Sequence, residues 1–305
     1  MMPKLVERRR QRRSAPMAYR LQRQARPSRL RAYAWRAIRE AARTLPPEEL
    51  GLTRLELPLR YLPRALDGLS ILHVTDLHLS EGMRPADDIV PLLAGIDYDL
   101  AVYTGDLADD EGGMRALADL FAALRPREAS FAVLGNHDHY HYRHATGEGP
   151  QPNDLRPLSR TLEEGGVRLL DNTSVNLYDG ALRVVGVDDP ALGLDRLGAA
   201  FAGVPGDAAT VLLAHSPDVL LRLGRYRPGL LLAGHTHGGQ MRLPGNLGPF
   251  GSVSALPRRY AMGAYVYDGV QTYVSRGVGT SGAPARWNCP PEVTVIRLRS
   301  PRALR

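Results

Sequence analysis

Five short polar blocks stand in order along the 305-residue chain: Asp76-Leu77-His78, Gly105-Asp106 with Asp109, Gly135-Asn136-His137-Asp138, the single His215, and Gly234-His235-Thr236-His237. Each follows an apolar run that reads as a strand, over residues 69–75, 100–104, 130–134, 210–214 and 230–233. Carboxylate, imidazole and amide groups would then gather at the carboxyl edge of a sheet, where open α/β sheets bind ligands. Hard oxygen donors mixed with imidazoles suit Mn, Fe, Zn or Mg and argue against a soft thiolate site. The candidate ligands are Asp76, His78, Asp106, Asn136, His215, His235 and His237. They are too many for one ion, and one shared carboxylate divides them between two.

The elements that must hold these blocks alternate. Helices are expected over 84–96, 114–124, 157–164, 194–201 and 217–223, between the strands named above. Further strands are expected over 167–170, 175–178, 182–187, 264–267, 270–275 and 293–298. Residues 52–62 read as an edge strand or hairpin, because Pro58 and Pro63 cannot donate to a central ladder. Alternation implies parallel pairing with helices outside, and the surplus strands imply a second sheet.

In this order and context the blocks resemble the calcineurin-like metallophosphoesterases. The pattern D-x-H, G-D-x-x-D, G-N-H-D, H, G-H-x-H is complete from Asp76 to His237. The resemblance covers about residues 70–298. It implies an α/β fold, a four-layer α/β/β/α sandwich of two mixed sheets, which periodicity alone does not give. It implies two divalent ions, Mn favoured over Fe, Zn or Mg, and hydrolysis by a metal-activated hydroxide. Asp106 would bridge the ions; Asp76, His78 and His237 would complete one site, and Asn136, His215 and His235 the other. His137 would bind no metal but protonate the leaving oxygen or stabilise the equatorial charge, and Asp109 matches its orienting partner. Asp138 is expected to be structural, and His73, in mid-strand, a core histidine. Asp110 stands where the protein serine/threonine phosphatases of the superfamily carry Arg, which argues against a phosphoprotein substrate.

Around the blocks, His139, Tyr140, His141, Tyr142 and His144 read as a cap loop touching substrate. Arg242, Arg259, Arg276 and Arg286 are candidate phosphate clamps, since guanidinium matches phosphate bidentately. Gly238-Gly239-Gln240, with the stretch from Ser275 to Glu292, resembles a bacterial branch of small phosphodiesterases and UDP-2,3-diacylglucosamine pyrophosphatase-like enzymes. The expected substrate is a phosphodiester or pyrophosphate, on a small molecule or a lipid A precursor. A nuclease or cyclic-nucleotide phosphodiesterase, and a non-catalytic metal-binding scaffold, stay open as alternatives.

Charge divides the chain. Residues 1–45 hold 14 Lys/Arg against 2 Asp/Glu, leaving 25 against 30 in the rest, within a total of +7. The body, 46–305, is therefore mildly acidic and is expected to form one catalytic domain; its charge argues against nucleic acid as partner. Residues 28–45 read as a basic amphipathic helix, suited to an anionic membrane surface or to packing on the domain. Arg8-Arg9-Arg10-Gln11-Arg12-Arg13 precedes no apolar h-region, and no run reaches the ~20 apolar residues of a membrane span. A cytoplasmic enzyme, peripheral at the inner membrane face, is the expectation. One cysteine, Cys289, excludes an internal disulfide.

Overall fold

The computed structural model describes residues 45–142, 150–242 and 253–301, with Glu40 and Arg43. Apart from Glu40, Arg43 and Leu45, the predicted helix over 28–45 lies outside the described residues, as do the rest of the basic segment and His144. Along the chain run β1 (Gly51–Pro58), β2 (Ser70–Val74), α1 (Pro85–Leu92), β3 (Leu100–Thr104), α2 (Glu111–Ala123), β4 (Ala129–Val133), α3 (Asn136–His139), β5 (Tyr140–His141), β6 (Gln151–Pro152), α4 (Arg156–Glu164) and β7 (Val167–Leu169). Then follow β8 (Thr173–Leu177), β9 (Leu182–Gly186), α5 (Leu197–Ala200), β10 (Thr210–Leu213), β11 (Leu230–Ala233), β12 (Gly263–Tyr267), β13 (Val270–Val274) and β14 (Glu292–Arg299).

Two six-stranded sheets form, in the orders β1-β14-β2-β3-β4-β7 and β12-β13-β11-β10-β9-β8. The strands that precede ligand blocks pair in parallel: β2 with β3, β3 with β4, and β10 with β11. Both sheets are mixed, because β14 meets β2, β8 meets β9 and β12 meets β13 antiparallel. β1 is an edge strand, paired parallel to β14, as its prolines require.

Strand periodicity separates the layers. Ile71, Val102, Phe131 and Val133 from the first sheet face Val184, Val211, Leu213 and Leu230 from the second. Their neighbours Leu72, Ala101 and Tyr103 face outward onto Ile89, Leu117, Leu120, Leu158 and Leu162 of α1, α2 and α4. On the far side, Val185, Leu212 and Leu231 pack under Ala200, Phe201, Val219 and Leu220. Buried on both faces, β2 and β3 carry no exposed residue, as continuous apolar runs between two layers should. The result is the four-layer α/β/β/α sandwich that the resemblance implies.

α2 starts three residues earlier than its apolar pattern predicts, and Asp110 is the reason. Its carboxylate accepts from Gly113 N at 2.7 Å, capping the helix. The position that lacks the phosphatase arginine thus has a structural use. Among the described residues, no helix is long and apolar enough to cross a membrane.

Candidate metal centre

All five blocks leave the carboxyl ends of parallel strands, at the rim where the two sheets meet. Asp76 and His78 follow β2, Asp106 follows β3, and Asn136 and His137 open α3 after β4. His215 follows β10, and His235 and His237 follow β11. The chain turns hard at these points. Asp76, His78, Asp106, His235 and His237 all have positive φ, between 46° and 69°. Non-glycine residues seldom stand in this left-handed region, and such strain gathers at functional sites. An extended segment would have sent Asp76 and His78 to the same side; the left-handed turns do it instead. Glycine permits the crowding: a Cβ on Gly105 (φ +89°) would lie 2.7 Å from His215 Nδ1, and one on Gly234 would collide with the Asp76 carboxylate.

The seven predicted ligands converge around Asp106. Asp106 Oδ2 lies 3.1 Å from His215 Nε2 and 3.5 Å from His78 Nε2. His237 Nε2 lies 3.4 Å from Asp76 Oδ1 and 3.2 Å from His78 Nε2, while His235 Nδ1 lies 3.1 Å from His215 Nε2. Three groupings of these side chains are close enough to hold an ion: Asp76 with His78 and His237, His78 with Asp106 and His137, and Asp106 with His215 and His235. Asp106 belongs to two of them, the position a bridging carboxylate would take. The donor chemistry fits divalent ions. Asn136 Oδ1 is buried here without a hydrogen-bond partner, a costly state for an acceptor with nothing to accept from, and His235 turns its Nδ1 to the cluster.

Electrostatics point the same way. Burial would raise Asp106, but the imidazoles of His215, His137 and His78 overcome it and hold the carboxyl well below the ordinary range. Burial would lower His215, yet Asp106 holds it well above the usual histidine value. Asp76 is pushed up, by burial first. Burial and His215 take His235 down to about 3; burial and His78 take His237 well below its ordinary value. His235 and His237, kept neutral, and Asp106, kept ionised, are ready for a cation.

The supporting bonds are equally specific. His215 Nδ1 donates to Thr104 O at 2.7 Å, which leaves Nε2 free to face Asp106. Asp138 accepts from the backbone N–H of Asp106 (2.8 Å), Leu107 (2.9 Å) and Gly135 (2.8 Å), stapling two ligand turns together. Asp109 was expected at His137. Its Oδ1 lies 3.4 Å from His78 Nδ1, a long bond that orients a predicted ligand, while its side chain borders the same cleft as His137. His137 N donates to Asp106 Oδ1 at 2.7 Å, and its ring stands edge-on to His78 with centroids 4.7 Å apart. His73 is a core residue, with Nε2 2.8 Å from Thr104 Oγ1 and Nδ1 buried without a partner.

A cleft opens beside the cluster, lined by His78, Asp109, His137, Tyr140, His141, Tyr142, Thr280, Ser281 and Gly282. Tyr140 and its neighbours are therefore where the sequence places them. His139 turns away to Asp188, 2.6 Å from Oδ1. None of the four candidate arginines is among these lining residues. Arg276 pairs with buried Glu292 at 2.6 Å. Arg286, buried, donates to the carbonyls of Arg276 (2.8 Å), Gly277 (3.1 Å) and Cys289 (3.3 Å) and reaches His237 Nδ1 at 3.3 Å. Arg242 is buried and donates to Gly238 O, while exposed Arg259 lies over the Tyr260 ring. A buried guanidinium must satisfy its five donors, and near a glycine-rich turn bare carbonyls are the nearest acceptors. Sequence reasoning used Gln240 and the stretch holding Ser281 only as marks of a resemblance, and missed Asn153. Asn153 Nδ2 holds the carbonyls of His137 and Asp138, at 2.9 and 3.1 Å, and only its place beyond the cap loop hinted at this.

Known proteins resemble this chain in sequence. The calcineurin-like phosphoesterase family profile matches residues 69–239. The uncharacterized metallophosphoesterase YkuE of Bacillus subtilis is 30% identical over 270 residues, covering 85% of this chain and 89% of that one. Phosphodiesterase YaeI of Escherichia coli is 33% identical over 236 residues, covering 75% and 81%. A transmembrane protein with metallophosphoesterase domain from Danio rerio is 28% identical over 264 residues, covering 80% of this chain but 56% of its own length. With its profile match, its two mixed sheets and its cluster of metal-ligating side chains, the chain belongs to the calcineurin-like phosphoesterases and is a metal-dependent phosphoester hydrolase.

Proposed function

We propose that the enzyme hydrolyses phosphodiester or pyrophosphate bonds, with His137 as the proton donor to the leaving oxygen. Asp76, His78 and His237 would hold one divalent ion, Asn136, His215 and His235 a second, with Asp106 shared. The observation that carries this reading is the orphaned buried acceptor Asn136 Oδ1 beside the Asp106 cluster, whose side chains fall into groupings close enough to hold an ion. When bound, two such ions clamp a phosphate, polarise it and acidify water. The chain does the rest. Asp106 Oδ1 fixes the His137 backbone, and His137 lines the cleft, so its Nε2 can hand a proton to an oxygen departing into that space. Tyr140, Tyr142 and His141 offer faces for a base or sugar beside the phosphate.

A phosphodiester is the first substrate, supported by the likeness to Phosphodiesterase YaeI. A UDP-2,3-diacylglucosamine-type lipid A precursor is the second, supported by the Gly238-Gly239-Gln240 resemblance. In this reading Mn is the preferred ion and residues 46–305 are the catalytic domain. The basic 1–45 segment holds the enzyme to anionic lipid at the inner membrane face. Turnover of bis(p-nitrophenyl) phosphate and of UDP-2,3-diacylglucosamine, with Mn and with EDTA, tests it. Loss with EDTA is expected for whichever is cleaved; Mn-loaded protein inert towards both would sink the reading. Removing residues 1–45 should weaken binding to anionic liposomes, and unchanged binding would refute the lipid role.

A further inference from the structure

The segment from Gly279 to Arg286 is sewn onto the last ligand turn by two side chains. Gln240, buried three residues past His237, accepts from Ser281 N at 2.9 Å through Oε1. Its Nε2 donates to the carbonyls of Ala283 at 2.7 Å and Ala285 at 3.0 Å. Gln240 stands at φ +56°, a left-handed conformation that a non-glycine residue keeps only when its surroundings demand it. Arg286 completes the seam through Gly279 O at 3.0 Å from Nε. A flexible surface loop would need neither device.

What the seam delivers is one hydroxyl. Ser281 Oγ lies 3.3 Å from His137 Nε2, and both residues line the cleft. A hydroxyl can accept and donate, whereas a carbonyl only accepts. It can therefore serve both states of a proton donor: it accepts from Nε2–H before transfer and donates to the bare nitrogen afterwards.

We propose that Ser281 is the positioning residue for His137, and that Gln240 fixes Ser281 in that place. This rests on the reading of His137 as the proton donor. The His137 proton moves from Nε2 to the leaving oxygen as the P–O bond breaks, water forms the new P–O bond and releases a proton to solvent, and His137 regains a proton from solvent. The Ser281 proton stays on its oxygen throughout and only rotates. The demand on this device grows with the basicity of the leaving oxygen, because p-nitrophenolate departs with less protonation than phenolate.

The test uses the full-length Mn-loaded enzyme, its S281A, S281T, H137A and S281A/H137A variants, and two diesters, diphenyl phosphate and bis(p-nitrophenyl) phosphate. The expected kcat loss in S281A is about tenfold greater on diphenyl phosphate than on bis(p-nitrophenyl) phosphate, the scale of one positioning hydrogen bond. KM should move less than about twofold, S281T should recover most of the loss, and the double variant should be no slower than H137A. Equal losses on both diesters, or losses that multiply in the double variant, would overturn the proposal. The 15N resonance of His137 Nε2 in Mg-loaded protein gives a reading that needs no turnover. It should shift in S281A, and an unmoved resonance overturns the positioning role alone. H137A without any leaving-group preference overturns the proton-donor reading, and this role with it.

Discussion

The two sheets bring unlike chemistry to one rim. From the first come Asp76, His78, Asp106 and Asn136: two carboxylates, an imidazole and an amide. From the second come only imidazoles, His215, His235 and His237. Each half is poorly placed alone. Asp76 and Asp106 would repel each other in a buried site, and His235 and His237 would sit desolvated with nothing to bind. Closed together, each half answers the other: Asp106 is pulled low and His215 is pushed up by the same contact, 3.1 Å long. The first sheet even orients the second, because Thr104 O at the end of β3 takes the His215 Nδ1 proton. A site divided this way exists only when the sandwich is closed, so it reports on folding as well as on chemistry.

The sharpest way to break the comparison is its shared member. Asp106→Asn keeps shape but removes the charge that both halves use. It should cost metal and activity together, with kcat falling on the order of a thousandfold or more. Metal content and turnover check it, and two retained ions with full activity would refute a bridging role. His137→Ala leaves every predicted ligand in place, though its ring borders His78 and Asp106. It should keep both ions and lose about 100- to 1,000-fold in kcat. A variant that also lost an ion would assign His137 to the metal set, which its grouping with His78 and Asp106 permits geometrically.

Much of this rim is legible in the chain because its information is local. A ligand's chemistry is its residue type, and strand ends place D-x-H or G-H-x-H without long-range knowledge. The same locality hides the arginines. Arg276 and Arg286 read as phosphate clamps because nothing near them in sequence announces Glu292 or the Gly277 carbonyl as their partners. The bonding role of Gln240 is hidden for the same reason: its three bonds run 41 to 45 residues along the chain. Asp110 is different, since its cap was readable. An aspartate just before a helical pattern is an ordinary helix start, and reading it only as a missing arginine placed α2 three residues late.

The arginines sharpen the contrast between local and distant reading. Arg286→Ala would strip donors from buried carbonyls and free the loop at His237. It should cost about 3 kcal/mol in stability, because several buried acceptors lose their partner at once. Arg259→Ala, at an exposed guanidinium over Tyr260, should stay within about 0.5 kcal/mol. Urea midpoints measure both, and equal costs would mean that Arg286 is not the structural member of the set.

The smallest effect lies where the sheets are joined away from the ions. His139 ends α3, beyond the first sheet, and Asp188 follows β9 of the second; Nε2 and Oδ1 lie 2.6 Å apart. Burial would lower His139, but the Asp188 bond and charge, with Asp189 and Asp138 nearby, raise it above its ordinary 6.5. A histidine raised on folding contributes stability that is complete below its unfolded value and disappears as pH rises through its folded value. The pair should therefore stabilise the closed sandwich below pH 6.5 and progressively less above it. Asp188→Asn removes the charge, so its cost should be on the order of 1 kcal/mol at pH 6 and should shrink towards pH 9. Urea unfolding at the two pH values reads the difference. A cost that is the same at both would mean that shape rather than charge joins the sheets there, and that the electrostatic dependence of one half on the other is confined to the ligand rim.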